Sequence, residues 1–416
     1  MRRLKFLLLS ILVASVLLPW NAIAIDHTDF IGMPGSNKFS ANYTEGLLVR
    51  SLFEVTRGQL REAQATIDQL LQTAPNFKLA HLVHGDLLMA RAQQLQTFGS
   101  ASANAQETGA ETASSREMIE NFREEARTRI EHYLTQQTPN SLPEPLWQLD
   151  PSQQHAIVVD ADKSRLYVYS NENGKPRYVA DYYVTLGKNG SEKLTEGDKR
   201  TPSGVYFASS KLPKKLPDFY GDAAYPLSYP NEWDSHLGKK GHGIWLHGTP
   251  SNTYSRPPRA SDGCVVMSNP DLKSLAAILQ NGKTPVIIAS NLQWLQANQT
   301  SLQQQELSQA MEAWRADWQA QSTDQYLGHY SQQFFSQSTD FSKWSEQKRR
   351  IQANKSKVEI KLSNISMFRY PDNQQQMAVV SFDQDYKSDS LDSRMRKRQY
   401  WVLENQHWKI IYEGPA

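Results

Sequence analysis

A histidine and a lone cysteine stand at the two ends of one proline-rich stretch of this 416-residue chain. The stretch opens with His247-Gly248-Thr249, closes with Ser261-Asp262-Gly263-Cys264 and contains three prolines, which disfavour a regular helix or a central strand. A loop that brings a cysteine back towards a histidine can supply a thiol nucleophile with its base. We therefore predict an active site in which Cys264 attacks as a thiolate after His247 has taken its proton.

The residues beside this pair indicate supporting roles. Gly263 lets the backbone approach a substrate carbonyl closely, so its N–H can help to bind an oxyanion. Ser261 can hydrogen-bond the loop or the histidine, or can simply form a turn. Asp262 can fix the loop, tune a proton or lie in solvent. With one cysteine in the chain, no cysteine-rich zinc site is expected, and we predict neither a metal nor an organic cofactor.

Residues 1–24 have the pattern of a secretory signal peptide. Basic residues are followed by the apolar run Phe6–Leu18 and then by Ala22-Ile23-Ala24, which suits cleavage after Ala24. An uncleaved anchor is the alternative, although the apolar run is short for a bilayer span. We expect an exported, periplasmic protein. A single free thiol is unusual in an oxidising compartment, which favours a chemical role for Cys264.

Length and charge limit the remaining possibilities. A chain of 416 residues is longer than a single hydrophobic core usually supports, so two or three domains are expected. The 45 basic and 43 acidic residues nearly balance, and nothing indicates a nucleic-acid partner. The basic clusters at 348–350 and 394–398 are predicted to lie on solvated surfaces.

Residues 25–145 are predicted to form a helical region with a flexible insertion at 92–114 that is rich in Gln, Ala, Ser and Thr. The segment Gly58-Gln59-Leu60-Arg61-Glu62-Ala63, followed by a proline after the second helix, resembles a tetratricopeptide (TPR) unit. An ordinary helical hairpin is the alternative. A later helix carries Glu125 and Arg129 at the i,i+4 spacing of an ion pair.

Two further domains are predicted after this region. Residues 150–290 alternate short strand patterns with turns, which indicates a mainly β domain with one strand ending at His247. Residues 305–416 begin with an amphipathic helix, whose apolar residues from Leu307 to Trp318 recur at helical spacing, and continue with strands. The predicted fold class is multidomain, with a helical TPR-like region, a mainly β domain and a small α+β domain.

The two ends of the loop resemble the L,D-transpeptidase (YkuD) family motif, His-Gly-Thr followed by Ser/Thr-His-Gly-Cys. The stretch 197–206, Gly-Asp-Lys-Arg-Thr-Pro-Ser-Gly-Val-Tyr, resembles another familiar stretch of that family, and the likeness covers roughly residues 150–290. The resemblance implies a β-sandwich-like catalytic domain that transfers acyl groups of peptidoglycan stem peptides.

Site roles follow from the resemblance by position. Cys264 would be the nucleophile and His247 its base. The Gly248 carbonyl would orient His247, and the Gly263 and Cys264 amides would receive the oxyanion. Ser261, Asp262 and Thr249 are assigned to substrate binding.

The site also departs from the family motif. Asp262 stands where the family usually has a second histidine, Val266 stands where it usually has Arg or Asn, and the spacing from His247 to Ser261 is slightly short. Because the nucleophile and the base remain, we expect the acyl-enzyme chemistry to persist. The open question is which group accepts the acyl chain.

The segment from Ala310 to Tyr412 resembles an NTF2-like (SnoaL-like) domain. A catalytic domain of this family followed by such a module is similar to the cell-shape L,D-carboxypeptidases of helical bacteria, in which water is the acceptor. Ligand binding or homodimerisation is the role expected of this module. Together with the TPR-like region, it offers surfaces for protein partners.

Three functions are therefore considered. In the first, Cys264 attacks the L,D bond of a tetrapeptide stem, D-Ala leaves, and an amine of another stem or of an anchored protein resolves the thioester during cell-wall remodelling. In the second, water resolves the same thioester. In the third, the chain is a non-catalytic scaffold that binds peptidoglycan.

Overall fold

The computed structural model describes residues 43–92, 113–135, 141–213, 215–296, 302–336, 339–353, 357–372, 374–389 and 391–416. The predicted signal peptide at 1–24 and nearly all of the insertion at 92–114 lie outside these ranges. No helix in the described ranges has both the length and the apolar character needed to cross a bilayer.

The N-terminal region is helical, as predicted. Its four helices are α1 (Tyr43–Thr56), α2 (Leu60–Thr73), α3 (Lys78–Ala92) and α4 (Ala113–Leu134). Gly58 makes the turn between α1 and α2 with φ at +74°, a conformation that favours glycine. Ala63, at the close contact expected in a TPR unit, is fully buried. Whether this hairpin is a TPR unit stays a prediction.

The central domain is mainly β, also as predicted. Two short strands, β1 (Ser141–Pro143) and β2 (Leu146–Gln148), lead into it. Its strands are β3 (His155–Asp160), β4 (Arg165–Glu172), β5 (Lys175–Tyr183), β6 (Leu186–Gly187), β7 (Gly204–Phe207), β8 (Ala224–Pro226), β9 (Trp245–His247), β10 (Arg259–Ser261), β11 (Val265–Val266) and β12 (Pro285–Ala289). Two short helices, α5 (Glu232–His236) and α6 (Asn269–Ala276), complete it.

Two sheets of the central domain enclose its core. The larger has the strand order β5-β4-β3-β12-β7, and the smaller has the order β11-β9-β8. Side chains such as Val159, Val168 and Ile288 from the larger sheet and Leu246 and Val265 from the smaller one are fully buried in one cluster. Because β9 and β11 belong to the smaller sheet, this packing fixes the two ends of the proline-rich loop.

A short strand follows the central domain. Residues Trp294–Gln296 form β13, which pairs antiparallel with β1. The chain segments that enter and leave the central domain therefore pair with each other.

The C-terminal domain is α+β, as predicted. Its elements are α7 (Leu302–Gln319), α8 (Thr323–Gly328), β14 (Tyr330–Phe335), α9 (Phe341–Ala353), β15 (Val358–Arg369), β16 (Met377–Ser388), β17 (Asp392–Glu404) and β18 (His407–Pro415). They form a sheet in the order β14-β18-β17-β16-β15-β2, with α7 packed on one face through residues such as Trp314. The sixth strand, β2, comes from the segment that precedes the central domain in the chain.

The central and C-terminal sheets also pack against each other. Ala156, Val158 and Ile287 of the central sheet share one buried cluster with Val379 and Val402 of the C-terminal sheet. Both faces of β12 are therefore covered, which explains its uninterrupted apolar sequence. These two domains therefore form successive layers: the smaller and then the larger sheet of the central domain, the C-terminal sheet, and the helices packed on it, which include α7.

The basic cluster at 394–398 does not lie wholly in solvent. Arg396 Nη2 is 2.5 Å from Asp150 Oδ2, and Arg398 Nη1 is 2.9 Å from Glu232 Oε1. Asp150 lies just before β3, and Glu232 is in α5 of the central domain. The two arginines of β17 therefore join the C-terminal domain to the central domain. The expectation of a fully solvated surface is wrong here because the sheet face that carries the cluster is covered by the neighbouring domain.

A buried ionic cluster attaches the helical region to the central sheet. Arg165 on β4 contacts Glu45 of α1 at 2.8 Å and Asp181 of β5 at 2.8 Å. Arg129 of α4 lies 2.9 Å from Glu125, the predicted i,i+4 pair, and its guanidinium carbon lies 3.7 Å from the ring centroid of Tyr183. The pair expected from spacing is thus part of a domain interface.

Candidate active site

Two short parallel strands bring Cys264 and His247 to the same side of a sheet. β9 ends at His247, and β11 begins directly after Cys264, with Val265 beside Leu246 and Val266 beside His247. Leu246 and Val265 point into the domain core. Since side chains alternate along a strand, His247 and Cys264 lie on the opposite side, diagonally across the strand pair.

His247 is held in one orientation by its backbone neighbour. Its side chain is buried, and Nδ1 lies 2.7 Å from the Gly248 carbonyl oxygen. A carbonyl oxygen only accepts, so Nδ1 carries the proton and donates, and Nε2 keeps the lone pair of a base. The rings of Tyr220 and Phe219 pack around the imidazole at centroid distances of 5.2 and 6.2 Å. Burial is the main cause that lowers the pKa of His247 to about 4.

Cys264 is partly buried, and its thiol is neutral at rest. Sγ lies 3.4 Å from the Gly243 carbonyl oxygen. Burial raises the pKa of Cys264 to about 11, although the Trp245 backbone N–H favours the thiolate. With the pKa of the imidazole lowered and that of the thiol raised, a neutral pair is the resting state. The arrangement therefore suits a base that takes the proton during attack better than a preformed ion pair.

Hydrogen bonds within the chain shape the turn before Cys264. The Gly263 N–H donates to Ser261 Oγ at 3.1 Å, and Ser261 Oγ donates to the Cys264 carbonyl at 2.7 Å. The Gly263 amide thus has a partner within the turn, and its role towards an oxyanion stays a prediction. Ser261 is buried and positions the turn, and its assignment to substrate binding also stays a prediction.

The two remaining predicted substrate residues differ in exposure. Thr249 is buried, and its hydroxyl donates to the Tyr254 carbonyl at 3.2 Å, so it shapes the loop, and its assignment to substrate binding stays a prediction. Asp262 is exposed, with Lys188 Nζ at 3.7 Å from its carboxylate. Asp262 thus lies at the surface, two residues before Cys264.

The stretch 197–206 holds the turn that precedes Cys264 through hydrogen bonds of Thr201. Thr201 Oγ1 donates to the Gly263 carbonyl at 3.0 Å and accepts from the Gly187 amide at 2.9 Å. The sequence indicates this stretch only through its resemblance to the YkuD family and assigns no role to Thr201. That resemblance was the signal that could have pointed to Thr201.

The loop between His247 and Cys264 is held by the helical region. Tyr254 stacks on Phe77 with ring centroids 4.7 Å apart, and its N–H donates to the Asn76 carbonyl at 3.1 Å. Ser255 Oγ donates to Glu125 at 2.6 Å. No pattern in the sequence indicated these contacts, because they join residues of two different domains. The helical region is thus part of the scaffold of the active site.

Comparison with known families identifies the domains. Residues 154–288 match the model of the L,D-transpeptidase catalytic domain, YkuD. The central domain is a YkuD domain. Residues 306–414 match the Cds6 C-terminal NTF2-like domain. The chain therefore carries the catalytic domain of an enzyme family that acts on peptidoglycan, followed by an NTF2-like domain.

Solved structures extend this similarity beyond the YkuD domain. The structure of Bd1075 from Bdellovibrio bacteriovorus is 27% identical, covers 66% of this chain and 98% of its own, and superposes with a TM-score of 0.59. The helical cell shape determining protein Pgp2 from Campylobacter jejuni is 26% identical, with coverages of 65% of this chain and 95% of its own and a TM-score of 0.56. The comparison with curated proteins finds no match to this chain.

Metal ligands are not gathered near the YkuD site. Across the described residues, no group of three or more His, Cys, Asp or Glu side chains is arranged to hold a metal ion.

The pH dependence of the YkuD site should follow the lowered pKa of His247. Only neutral imidazole accepts a proton, so kcat/KM should stay constant from about pH 8 to about pH 5.5 and fall by half only near pH 4 to 5. Between pH 6.5 and about 4 the unfolded state binds a proton that the folded state does not, so stability also decreases as pH falls through that window. Circular dichroism at each pH separates unfolding from loss of the base. An activity midpoint at or above pH 6.5 would contradict this assignment.

Gly263 should not tolerate a side chain. Its φ is +124°, and an added Cβ would lie 2.7 Å from the Arg200 carbonyl oxygen. Gly263→Ala is expected to lower the free energy of unfolding by about 1–3 kcal/mol and to displace the nucleophile, with a loss of kcat/KM of about tenfold or more. Urea denaturation and a product assay measure both. Gly328→Ala, at a site with open space around it, is the control and should change neither.

Proposed function

We propose that this protein is a cysteine acyltransferase that acts on peptidoglycan stem peptides in the periplasm during cell-wall remodelling. The observation that carries the proposal is the placement of Cys264 and His247 on one side of the β9–β11 pair, with Nδ1 of His247 held by Gly248. This is the arrangement of a nucleophile, its base and the group that orients the base. The match of residues 154–288 to the YkuD domain supports the choice of substrate.

The reaction would begin at the bond between the third residue and D-Ala of a tetrapeptide stem. Nε2 of His247 takes the thiol proton as Sγ of Cys264 forms a bond to the carbonyl carbon. The tetrahedral intermediate collapses, the C–N bond breaks, and D-Ala leaves with the proton returned by His247. The product is a thioester on Cys264. The amides predicted to receive the oxyanion are those of Gly263 and Cys264.

An amine is the first proposed acceptor. In this case the amino group of a neighbouring stem, or of an anchored protein, attacks the thioester carbonyl and forms a new amide bond. His247, neutral again after the first step, removes the proton of the attacking amine. The C–S bond then breaks, and His247 returns that proton to Sγ of Cys264, which restores the free thiol. The name of the matched domain, an L,D-transpeptidase catalytic domain, supports this acceptor.

Water is the second candidate acceptor, and a separate observation supports it. The similarity to Pgp2, a protein that determines helical cell shape, spans 95% of that chain and therefore includes more than the YkuD domain. The order of domains is also the one that resembles the cell-shape L,D-carboxypeptidases. Hydrolysis would shorten tetrapeptide stems to tripeptides and so limit the stems available for cross-linking.

Incubation with tetrapeptide-bearing muropeptides, followed by mass analysis, tests the proposal. Cross-linked dimers together with free D-Ala support transfer to an amine, whereas tripeptides alone favour hydrolysis. If neither product forms and the Cys264→Ala protein still binds peptidoglycan as the unmodified protein does, the scaffold function is favoured. Partner binding through the helical region, and dimerisation through the NTF2-like domain, are proposed as additional roles that size measurement in solution can test.

A further inference from the structure

Arg256 places a guanidinium against Phe219, whose ring also lies beside the imidazole of His247. Its Nη2 donates to the Phe219 carbonyl at 3.0 Å, and its guanidinium carbon lies 4.4 Å from the centroid of the Phe219 ring. The same ring is 6.2 Å from the imidazole of His247. Arg256 is partly exposed, and Phe219 is 47% exposed, so this stacked pair faces the solvent side of the site. The hydrogen bond uses one of the five N–H donors of the guanidinium, which leaves an edge for a ligand.

The charge of Arg256 acts on the reacting groups. Burial is the main cause of the lowered pKa of His247 and of the raised pKa of Cys264, and Arg256 adds a smaller lowering to each. Arg256 also interacts electrostatically with Asp262. The guanidinium is therefore near the thiol of Cys264, the imidazole of His247 and the exposed carboxylate of Asp262.

The position of Arg256 is fixed by two domains. Its carbonyl oxygen accepts hydrogen bonds from the Tyr183 hydroxyl at 3.0 Å and the Thr185 hydroxyl at 2.9 Å. The preceding residue, Ser255, donates to Glu125 of the helical region at 2.6 Å. A cation anchored in this way loses little freedom when it binds a ligand, which favours a specific contact.

The chemistry of the proposed substrate favours a cation at such a place. When the last residue of a stem peptide leaves, a free α-carboxylate lies one residue beyond the bond that breaks. A guanidinium can bind a carboxylate through two parallel N–H···O bonds. Other cations near the nucleophile are already engaged, since Lys193 pairs with Asp198 at 2.7 Å and Lys188 lies beside Asp262 at 3.7 Å. Without a cation, Asp262 would repel the substrate carboxylate.

We propose that Arg256 binds the terminal carboxylate of the stem peptide and thereby selects stems that end one residue after the scissile bond. This inference rests on the proposed function. It assigns Arg256 to specificity, whereas Cys264 and His247 carry out the reaction. It also gives the helical region a part in specificity, because Ser255 and Glu125 help to hold Arg256 in place.

Two substrates that differ only at the terminus test the inference. One is a tetrapeptide stem with a free D-Ala carboxylate, and the other is the same peptide with a D-Ala carboxamide. The unmodified protein should prefer the carboxylate by about 10- to 100-fold in kcat/KM, the range expected for a charged hydrogen bond. Arg256→Met should lose that factor on the carboxylate peptide and change less than about threefold on the carboxamide. Arg256→Lys should recover part of the preference, since it keeps the charge without the paired donors.

Lys188→Met is the matched control, because it removes a cation that lies near Asp262 but is not anchored by the loop. It should leave the preference unchanged. Equal turnover of both peptides by the unmodified protein would overturn the inference and leave the proposed function standing, and so would an equal loss on both peptides in Arg256→Met. If the unmodified protein converts neither peptide nor any muropeptide, the proposed function itself fails.

Discussion

Replacement of Cys264 by alanine should abolish the release of D-Ala from stem peptides and leave the fold intact. The expected loss in kcat is about 10⁴-fold or more, because no other group described at the site can form the thioester. The fold should persist because Cys264 is only partly buried and its thiol makes one weak hydrogen bond, 3.4 Å from the Gly243 carbonyl. Product formation by mass analysis and the thermal unfolding midpoint measure the two effects. Cys264→Ser should be nearly as inactive, since a hydroxyl is a much weaker nucleophile at neutral pH.

A covalent adduct gives this prediction a second readout. Intact-mass measurement after mixing with substrate should show an added tripeptide stem on the unmodified protein and none on Cys264→Ala. His247→Ala should form the adduct about 10²- to 10⁴-fold more slowly, because the proton of the thiol has no acceptor. Ser251→Ala, an exposed position on the same loop, is the control and should change the rate less than about twofold. Full activity of Cys264→Ala would show that the site is elsewhere.

Replacement of Arg165 by methionine should lower the free energy of unfolding by about 3–5 kcal/mol. Arg165 is buried and is shared by Glu45 and Asp181, each 2.8 Å away. Methionine fills much of the volume but leaves two buried carboxylates without this cation. Burial by itself raises the pKa of Glu45, and Arg165 and Arg129 together reverse that effect, so the lowered pKa of Glu45 depends on these arginines. The midpoint of urea denaturation measures the change.

Arg177→Met is the matched control on the neighbouring strand β5. Arg177 pairs with Glu172 at 2.9 Å, but its side chain is 70% exposed, so the loss should be below about 0.5 kcal/mol. The Arg165→Met, Glu45→Gln double variant should be more stable than the sum of the two single changes predicts, because the residues act as a pair. If Arg165→Met and Arg177→Met unfold at the same urea concentration, the cluster does not hold the domains together.

The same interface links stability to activity. Glu125 of α4 accepts from Ser255 on the catalytic loop, and Arg129 of α4 pairs with Glu125 and contacts Glu45 at 3.4 Å. Loosening the ionic cluster therefore frees the loop that carries Arg256. We expect Arg165→Met to reduce the preference for a terminal carboxylate at temperatures where the protein is still folded.

Local patterns in the sequence predicted the pairing of Cys264 with His247 and the order of the helical, mainly β and α+β regions. Cys264 and His247 stand out because each lies in a short motif with its own spacing. The helical region, the mainly β domain and the α+β domain were predicted because hydrophobic periodicity reports which face of an element is buried. The likeness to the YkuD family came from two short stretches, and the domain match confirmed it.

The tertiary structure decided which hydrogen bonds the groups at the site make. Gly263 is predicted to offer its amide to an oxyanion, and the rotamer of Ser261 places a hydroxyl 3.1 Å from that amide. Thr249 is assigned to substrate binding, and the path of the loop buries it. The spacing of residues shows which of them are close in the chain. Their hydrogen bonds depend on the backbone conformation of the turn and on the side-chain rotamers, which only the folded structure fixes.

The structure alone also decided how the domains support the proline-rich loop. Ser255 meets Glu125 across 130 residues, Arg165 meets Glu45 across 120, and Arg396 meets Asp150 across 246. Periodicity carries no information about such pairs, because it records burial and not the identity of the partner. The sequence by itself determined that a thiol and an imidazole stand at the two ends of one loop. Only the packing of three domains determined how that loop is held, because contacts between distant residues form when whole faces are buried together.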